Sequence, residues 1–294
     1  MLWEKVTLVG VGLLGGSLGL ALRQKRLART VVGFVRRKAS VSECRHAGAV
    51  DRATLDLRKA VEQADLVILC TPIAQMLALT RQLLPQLKHG AIVTDVGSVK
   101  RGVVRALEPL VAKAGGRFVG SHPMAGSEKA GVRAARADLF KSAICVVTPT
   151  TKSNKAAVQQ VEQLWRAVGG RPVRMTPALH DALVSRSSHL PHVVAAALAN
   201  HVLDPARPKG QPVLCANGFR DTTRIASSPP EMWRDIVLAN RRNVAKALDS
   251  FIADLEKTRD ALAKSDLKGL TRFLRAAKQR RDRWCARAAS PSPE

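Results

Sequence analysis

Three stretches of the chain concentrate side chains that can move protons or hold charge. Asp95-Val96-Gly97-Ser98-Val99-Lys100 sets a hydroxyl between an acid and an amine. Ser121-His122-Pro123-Met124-Ala125-Gly126-Ser127-Glu128 holds an imidazole with a proline stiffening the backbone behind it. The third combines Ser188-His189-Leu190-Pro191-His192 with Gly218-Phe219-Arg220-Asp221-Thr222-Thr223-Arg224-Ile225-Ala226. Imidazole titrates near neutrality, where a general base is most useful. The guanidinium of Arg224 suits bidentate binding of a carboxylate. His189 and His192 are three apart, so on a helix they share a face. Metal binding is the rival use of that pair, but no Cys, Asp or Glu at matching spacing completes a ligand set, and no metal is expected.

Such groups need elements to position them. In the first half, residues 5–10 read as a strand, 13–24 as a helix and 30–35 as a second strand. Residues 66–70 and 91–95 are continuous apolar runs of the kind a parallel strand covered on both faces needs. Helical patterns fall near 73–84 and 99–113, and 118–121, 144–148 and 172–175 read as further strands. This alternation predicts a Rossmann-type, doubly wound parallel sheet. Beyond residue 175 the pattern turns helical: 177–203 reads as one long helix, and helical periodicity dominates from 230 to 288. Residues 1–175 are expected to form one domain around that sheet, and 176–294 a second, all-α domain. The first reactive stretch then follows a strand, and the second lies just past one, at the sheet edge where open α/β folds bind ligands.

Gly10-Val11-Gly12-Leu13-Leu14-Gly15 follows a strand and opens a helix, the context that a GxGxxG fingerprint requires. Gly10 would make the tight turn, Gly12 admit a pyrophosphate and Gly15 allow close helix–strand packing, while the helix start offers free N–H groups to phosphate. Thr71, just past the 66–70 strand, is a further candidate for this site. An NAD site usually ends its second strand on an acid that binds the ribose hydroxyls. Here Val35 holds that place, followed by Arg36 and Arg37. Arginines bind a 2′-phosphate that a carboxylate would repel, so NADP is the expected cofactor, with NAD the alternative.

The net charge of +25 raises the question of a nucleic-acid partner. The basic residues are spread along the whole chain, and aromatics make up only 3%, so stacking platforms are scarce. A field that attracts small anions is the preferred reading. Five scattered cysteines without a CxxC pair fit reduced thiols in a cytoplasm. The apolar run 6–22 is broken by five glycines, and no other stretch is long enough to span a bilayer, so a soluble cytoplasmic protein is expected.

Taken in order, the glycine fingerprint, DVGSVK, SHPMAGSEKAG, SHLPH, GFRDTTRIA and Glu231-Met232-Trp233-Arg234-Asp235 resemble the prephenate/arogenate dehydrogenase family over nearly the full length. The resemblance implies oxidative decarboxylation of prephenate, or alternatively of arogenate, with hydride passing to NAD(P) on the way to tyrosine. It implies that His122 is the catalytic base and that Ser98 orients the substrate hydroxyl or the imidazole. It further implies that Arg224 binds the ring carboxylate, that His192 and Ser127 face the substrate, and that His189 does so or is structural. Trp233 would reach the partner's site in a homodimer. One departure stands out: Ala216-Asn217-Gly218 replaces a run of glycines, which narrows the space near Arg224. The rivals are another β-hydroxyacid-type dehydrogenase, which would place a catalytic lysine on the helical domain, and a non-enzymatic NADPH-binding or nucleic-acid-binding basic module, which would have no need of His122, Ser98 and Arg224 together.

Overall fold

In the computed structural model, which describes residues 1–127, 129–206 and 210–289, the chain divides into two compact units, with the break after Val244. The first unit is built on strands β1 (Trp3–Val9), β2 (Ala28–Phe34), β3 (Arg52–Thr54), β4 (Leu66–Leu69), β5 (Ile92–Asp95), β6 (Arg117–Pro123), β7 (Ile144–Thr148) and β8 (Arg171–Arg174). Helices α1 (Leu13–Gln24), α2 (Lys38–His46), α3 (Leu57–Val61), α4 (Ile73–Leu83), α5 (Arg101–Lys113) and α6 (Lys155–Ala167) connect them. The strands form one sheet in the order β3-β2-β1-β4-β5-β6-β7-β8. Pairing is parallel from β3 through β6, antiparallel between β6 and β7, and parallel again between β7 and β8.

Each of the four residues of β4, Leu-Val-Ile-Leu, is buried, because helices cover both faces of a central parallel strand. Alternate residues feed two cores. Leu8, Ile68, Leu18 and Trp165 pack on one face, and Val9, Leu69, Met76 and Phe118 on the other. The first six strands follow the Rossmann order, which reverses between β1 and β4 and leaves a crevice beyond their carboxyl ends.

Two expectations from sequence need correction. β6 does not stop before His122: its outer half pairs antiparallel with β7, aligning His122 with Val146 and Pro123 with Cys145. The candidate base therefore sits inside a strand, held by sheet hydrogen bonds. Nor is 177–203 a single α-helix. It comprises α7 (Pro177–Val184), a π turn at Ser185–His189 and α8 (Leu190–Val202). Pro191 has no N–H to give, and its ring crowds the carbonyl four residues back, so the helix widens by a residue there.

Helices α9 (Asn217–Thr223), α10 (Pro230–Ala239), α11 (Arg241–Ala263) and α12 (Leu267–Ala289) follow. Within the second unit, Leu255, Leu262, Phe273, Leu274 and Trp284 are exposed large apolar side chains. Among the described residues no helix is long and apolar enough to cross a membrane.

Candidate active site

The crevice at the β1/β4 reversal is made largely of backbone. Gly10 turns with φ +98°, and a Cβ there would approach the Cys70 carbonyl and the Thr71 methyl at 3.0 Å. A Cβ on Gly15 would lie 2.1 Å from the Gly10 carbonyl oxygen, so only glycine lets α1 start this close to β1. At Gly12 a Cβ would meet nothing within 4 Å, which leaves open room beside the first turn of α1. That turn, from Leu13 and Leu14 to Gly15, has no side-chain cap, so its N–H groups stay available to an anion. The resulting cleft of about 500 Å³ is lined by Gly10, Gly12, Phe34, Arg36, Arg37 and Thr71. Thr71 Oγ1 is buried with no partner among the described residues, a polar atom left for a ligand. Val35 at the end of β2 is buried, while Arg36 and Arg37 are exposed. The acid that also lines the cleft, Glu43, faces Arg133 at 3.8 Å. These residues fit a dinucleotide.

Two strands further along the sheet, β6 delivers His122 to a cluster of buried imidazoles. His122 Nδ1 lies 2.8 Å from His180 Nε2, and His180 Nδ1 lies 2.8 Å from Asp181 Oδ1. Asp181 also accepts the backbone N–H of Lys100 at 2.7 Å and of Arg101 at 2.9 Å. α5 has no cap from its own side chains, so this carboxylate from α7 caps it from outside. Asn240 donates to the Asp181 carbonyl at 2.8 Å and to His189 Nδ1 at 3.2 Å, while its own oxygen accepts from Asn243. An amide nitrogen can only donate, so His189 Nδ1 is the acceptor and its proton sits on Nε2. That Nε2 is buried with no partner among the described residues, and so is His192 Nδ1. Trp233 stacks on the His192 ring at 3.5 Å between centroids and 12° between planes, and meets His189 edge-on at 6.1 Å. Within one chain, then, Trp233 closes over its own SHLPH histidines.

Burial keeps the rings of His122, His189 and His192 neutral. It pushes His122 well below the usual imidazole value, helped by the nearby His180, Lys100 and His189. His189 is lowered to about 4, again mainly by burial, with Asp181 opposing and His180 and His192 reinforcing. His192 is lowered by burial. A neutral imidazole has the lone pair that a base needs.

The DVGSVK loop braces this cluster from below. Lys100 and Asp95 are wholly buried and form an ion pair. Burial lowers the Lys100 ammonium while Asp95 pulls it back. Asp95 also accepts from Gly97 N at 2.9 Å and Ser121 N at 3.2 Å, which ties the loop after β5 to the strand that carries His122. Ser98 is half-buried in that loop. Ser127 is exposed beyond β6 and accepts from Lys129 N at 3.2 Å. Arg224 is exposed and heads a short turn, Arg224–Ser227, that packs against α8, the helix of His192. Glu128, in the stretch that carries His122, lies outside the described residues. Sequence reasoning missed His180, Asp181 and Asn240, which belong to no motif; their only signal is polar residues on the inward face of helices. Among the described residues no group of three or more His, Cys, Asp or Glu is placed to hold a metal.

A phosphate-ready crevice at the switch point, with a neutral buried imidazole on the same sheet, is the equipment of a nicotinamide-dependent dehydrogenase. The chain belongs to the prephenate dehydrogenase family: residues 18–174 match its nucleotide-binding domain and residues 176–276 its dimerization domain. It is 36% identical to the prephenate dehydrogenase of Bacillus subtilis over 95% of this chain and 76% of that one. Among solved structures it resembles the Aquifex aeolicus prephenate dehydrogenase in complex with hydroxyphenyl propionate and NAD+, with TM-score 0.89 and 34% identity over 95% of this chain and 98% of that one. It also resembles the Synechocystis arogenate dehydrogenase, with TM-score 0.80 and 31% identity over 95% and 99%.

Proposed function

We propose that this protein oxidatively decarboxylates prephenate to 4-hydroxyphenylpyruvate, with NAD(P) as the oxidant, and that it works as a homodimer in the cytoplasm. The observation that carries the reading is a deeply buried, neutral His122 with Nδ1 engaged by His180 and Nε2 without a hydrogen-bond partner among the described residues.

Gly10, Gly12, Gly15, the N–H groups of Leu13 and Leu14, and Thr71 would hold the dinucleotide. When bound, the nicotinamide supplies the hydride acceptor for the ring carbon that bears the hydroxyl. His122 Nε2 receives the hydroxyl hydrogen bond and takes up the proton as positive charge develops on that carbon. Loss of carbon dioxide from the opposite ring carbon makes the ring aromatic, and the proton returns to the phenolic oxygen. Ser98 would steady the hydroxyl and imidazole, Arg224 would pair with the ring carboxylate, and His192 and Ser127 would face the side chain. The Nε2–H of His189, unpartnered among the described residues, would serve as a further donor to substrate. Trp233, stacked on His192, would exclude water from that end. Arogenate, which carries an amino group where prephenate has a keto group, is the second substrate, and the likeness to the Synechocystis arogenate dehydrogenase supports it.

Arg36 and Arg37 at the cleft, with Val35 in place of an acid, favour NADP over NAD. The division into a nucleotide-binding part, 1–175, and a helical substrate and dimerisation part, 176–294, rests on the change of pattern at residue 175. The exposed apolar side chains of α11 and α12 are what a partner subunit would cover. One experiment tests the substrate and cofactor together: NADPH and NADH formation followed with prephenate and with arogenate. Turnover of prephenate with higher kcat/KM for NADP is expected. No turnover of either substrate contradicts the function, and equal or better efficiency with NAD contradicts the cofactor preference.

A further inference from the structure

We propose that His180, backed by Asp181, is the positioning residue that fixes the tautomer of His122 and gives the transferred proton a second place to rest. The inference rests on the reading of His122 as the base of the proposed dehydrogenase.

Donors and acceptors leave one consistent assignment. Both Asp181 oxygens accept backbone N–H groups, Oδ1 from Lys100 and Oδ2 from Arg101, an arrangement that favours the carboxylate as acceptor over the acid as donor. His180 Nδ1, 2.8 Å from Oδ1, must therefore be the donor. In neutral His180 the other nitrogen, Nε2, is then an acceptor. His122 Nδ1, 2.8 Å away, must donate to it. A neutral His122 with its proton on Nδ1 carries its lone pair on Nε2, the nitrogen that has no hydrogen-bond partner among the described residues. Were His180 turned or removed, the proton on His122 could sit on Nε2 and abolish the base. The rings cross edge-on, with centroids 5.1 Å apart and planes at 73°, so the hydrogen bond runs in the ring planes, where nitrogen lone pairs point.

The same chain handles the proton during turnover. As a substrate O–H bond breaks, the hydrogen bonds to His122 Nε2. The His122 Nδ1–H bond can then break as one forms at His180 Nε2, leaving His122 neutral and His180 as an imidazolium beside the Asp181 carboxylate. Reversal of both transfers returns the proton to the phenolic oxygen, and no oxidant beyond the nicotinamide is involved. The arrangement is rigid. His180 is fully buried, and Asp181, almost as deep, is pinned by the α5 N–H groups, while Asn240 holds its carbonyl. None of these three partners lies near His122 in sequence: α7 is brought to β6 by tertiary packing.

The test combines kinetics with a direct view of the proton. In 15N-histidine-labelled protein, the His122 ring is expected to show a protonated Nδ1 and a bare Nε2. His180→Leu is expected to lose that signature and to lower kcat about 10- to 100-fold, part of the general-base contribution, with KM changed by no more than about twofold. His180→Gln, whose amide can donate to Asp181 and accept from His122, is expected to recover at least about tenfold of the loss, the cost of restoring one positioned hydrogen bond. Dinucleotide affinity by fluorescence titration controls for folding. A His122 proton on Nε2 in the unaltered protein, or a folded His180→Leu with unchanged kcat, overturns the relay. An inactive wild type that nonetheless shows the Nδ1–H tautomer keeps the relay and removes the dehydrogenase reading instead.

Discussion

The nucleotide crevice and the imidazole cluster lie on one sheet but are built from different materials. The crevice is backbone: a left-handed turn at Gly10, a close approach at Gly15, uncapped N–H groups, and a carbonyl at Cys70, drawn from short local segments. Its geometry follows from what a Cβ would obstruct. The cluster is side chain. His122, His180, Asp181, His189 and Asn240 come from β6, α7, the π turn and the end of α10, and each holds its place through a matched donor or acceptor. A backbone site tolerates changes of side chain and fails when volume is added. A side-chain site fails when any one partner is removed, because the remaining group is left buried and unsatisfied.

That contrast can be broken experimentally. Lys100→Met deletes one half of a wholly buried ion pair and leaves Asp95 charged in the interior. It is expected to cost about 3–5 kcal/mol of stability, read as a lower urea midpoint. A loss below about 1 kcal/mol, the size of a surface pair, would mean that this brace is not holding the loop. Arg224→Ala is expected to raise KM with kcat largely kept, the loss of about 1.5–3 kcal/mol that a charge-assisted hydrogen bond supplies. A fall in kcat at unchanged KM would move Arg224 from binding to chemistry. Gly15→Ala adds one methyl against the Gly10 carbonyl and is expected to cost about 1–3 kcal/mol as overpacking. The loss should appear as weaker dinucleotide binding, with the His122 surroundings unmoved. If prephenate KM changed as much as cofactor affinity, the two regions would not be separable.

A smaller effect concerns pH. His122, His189 and His192 are neutral in the native state, with His189 lowered to about 4. Below about pH 6.5 the unfolded chain takes up protons that the native chain refuses. Stability is therefore full above that value and falls as pH drops toward 4. Thermal melting between pH 7 and 4.5 should follow that slope, and a flat profile would show that the rings are solvated.

How much of this was legible beforehand follows the same division. The fingerprint, most of the buried strands and the change of pattern at residue 175 are local and could be read directly, whereas the short β3 and the order of the strands could not. The π turn was hidden because the apolar residues on either side of it, Leu183 and Leu190, stand seven apart, a helical spacing that bridges the polar run Ser185–His189; only Pro191 hints that one helical bond must be missing. The strand through His122 was hidden because its partner, β7, comes more than 20 residues later and runs the other way. His180 and Asp181 were hidden for the deepest reason. Two adjacent polar residues on a helix look like ordinary surface until α5 and β6 are seen to pack against them.

The proposed reaction turns on His122 acting as a base that burial keeps neutral. Its most direct test is the pH dependence of kcat/KM for the wild type and for His122→Asn, with dinucleotide affinity as the control. The wild type should lose activity only below the ordinary imidazole value of about 6.5, and the variant should lose that limb along with about 10²–10⁴-fold in kcat. A variant that keeps its rate, or keeps the same acidic limb, would contradict the assignment.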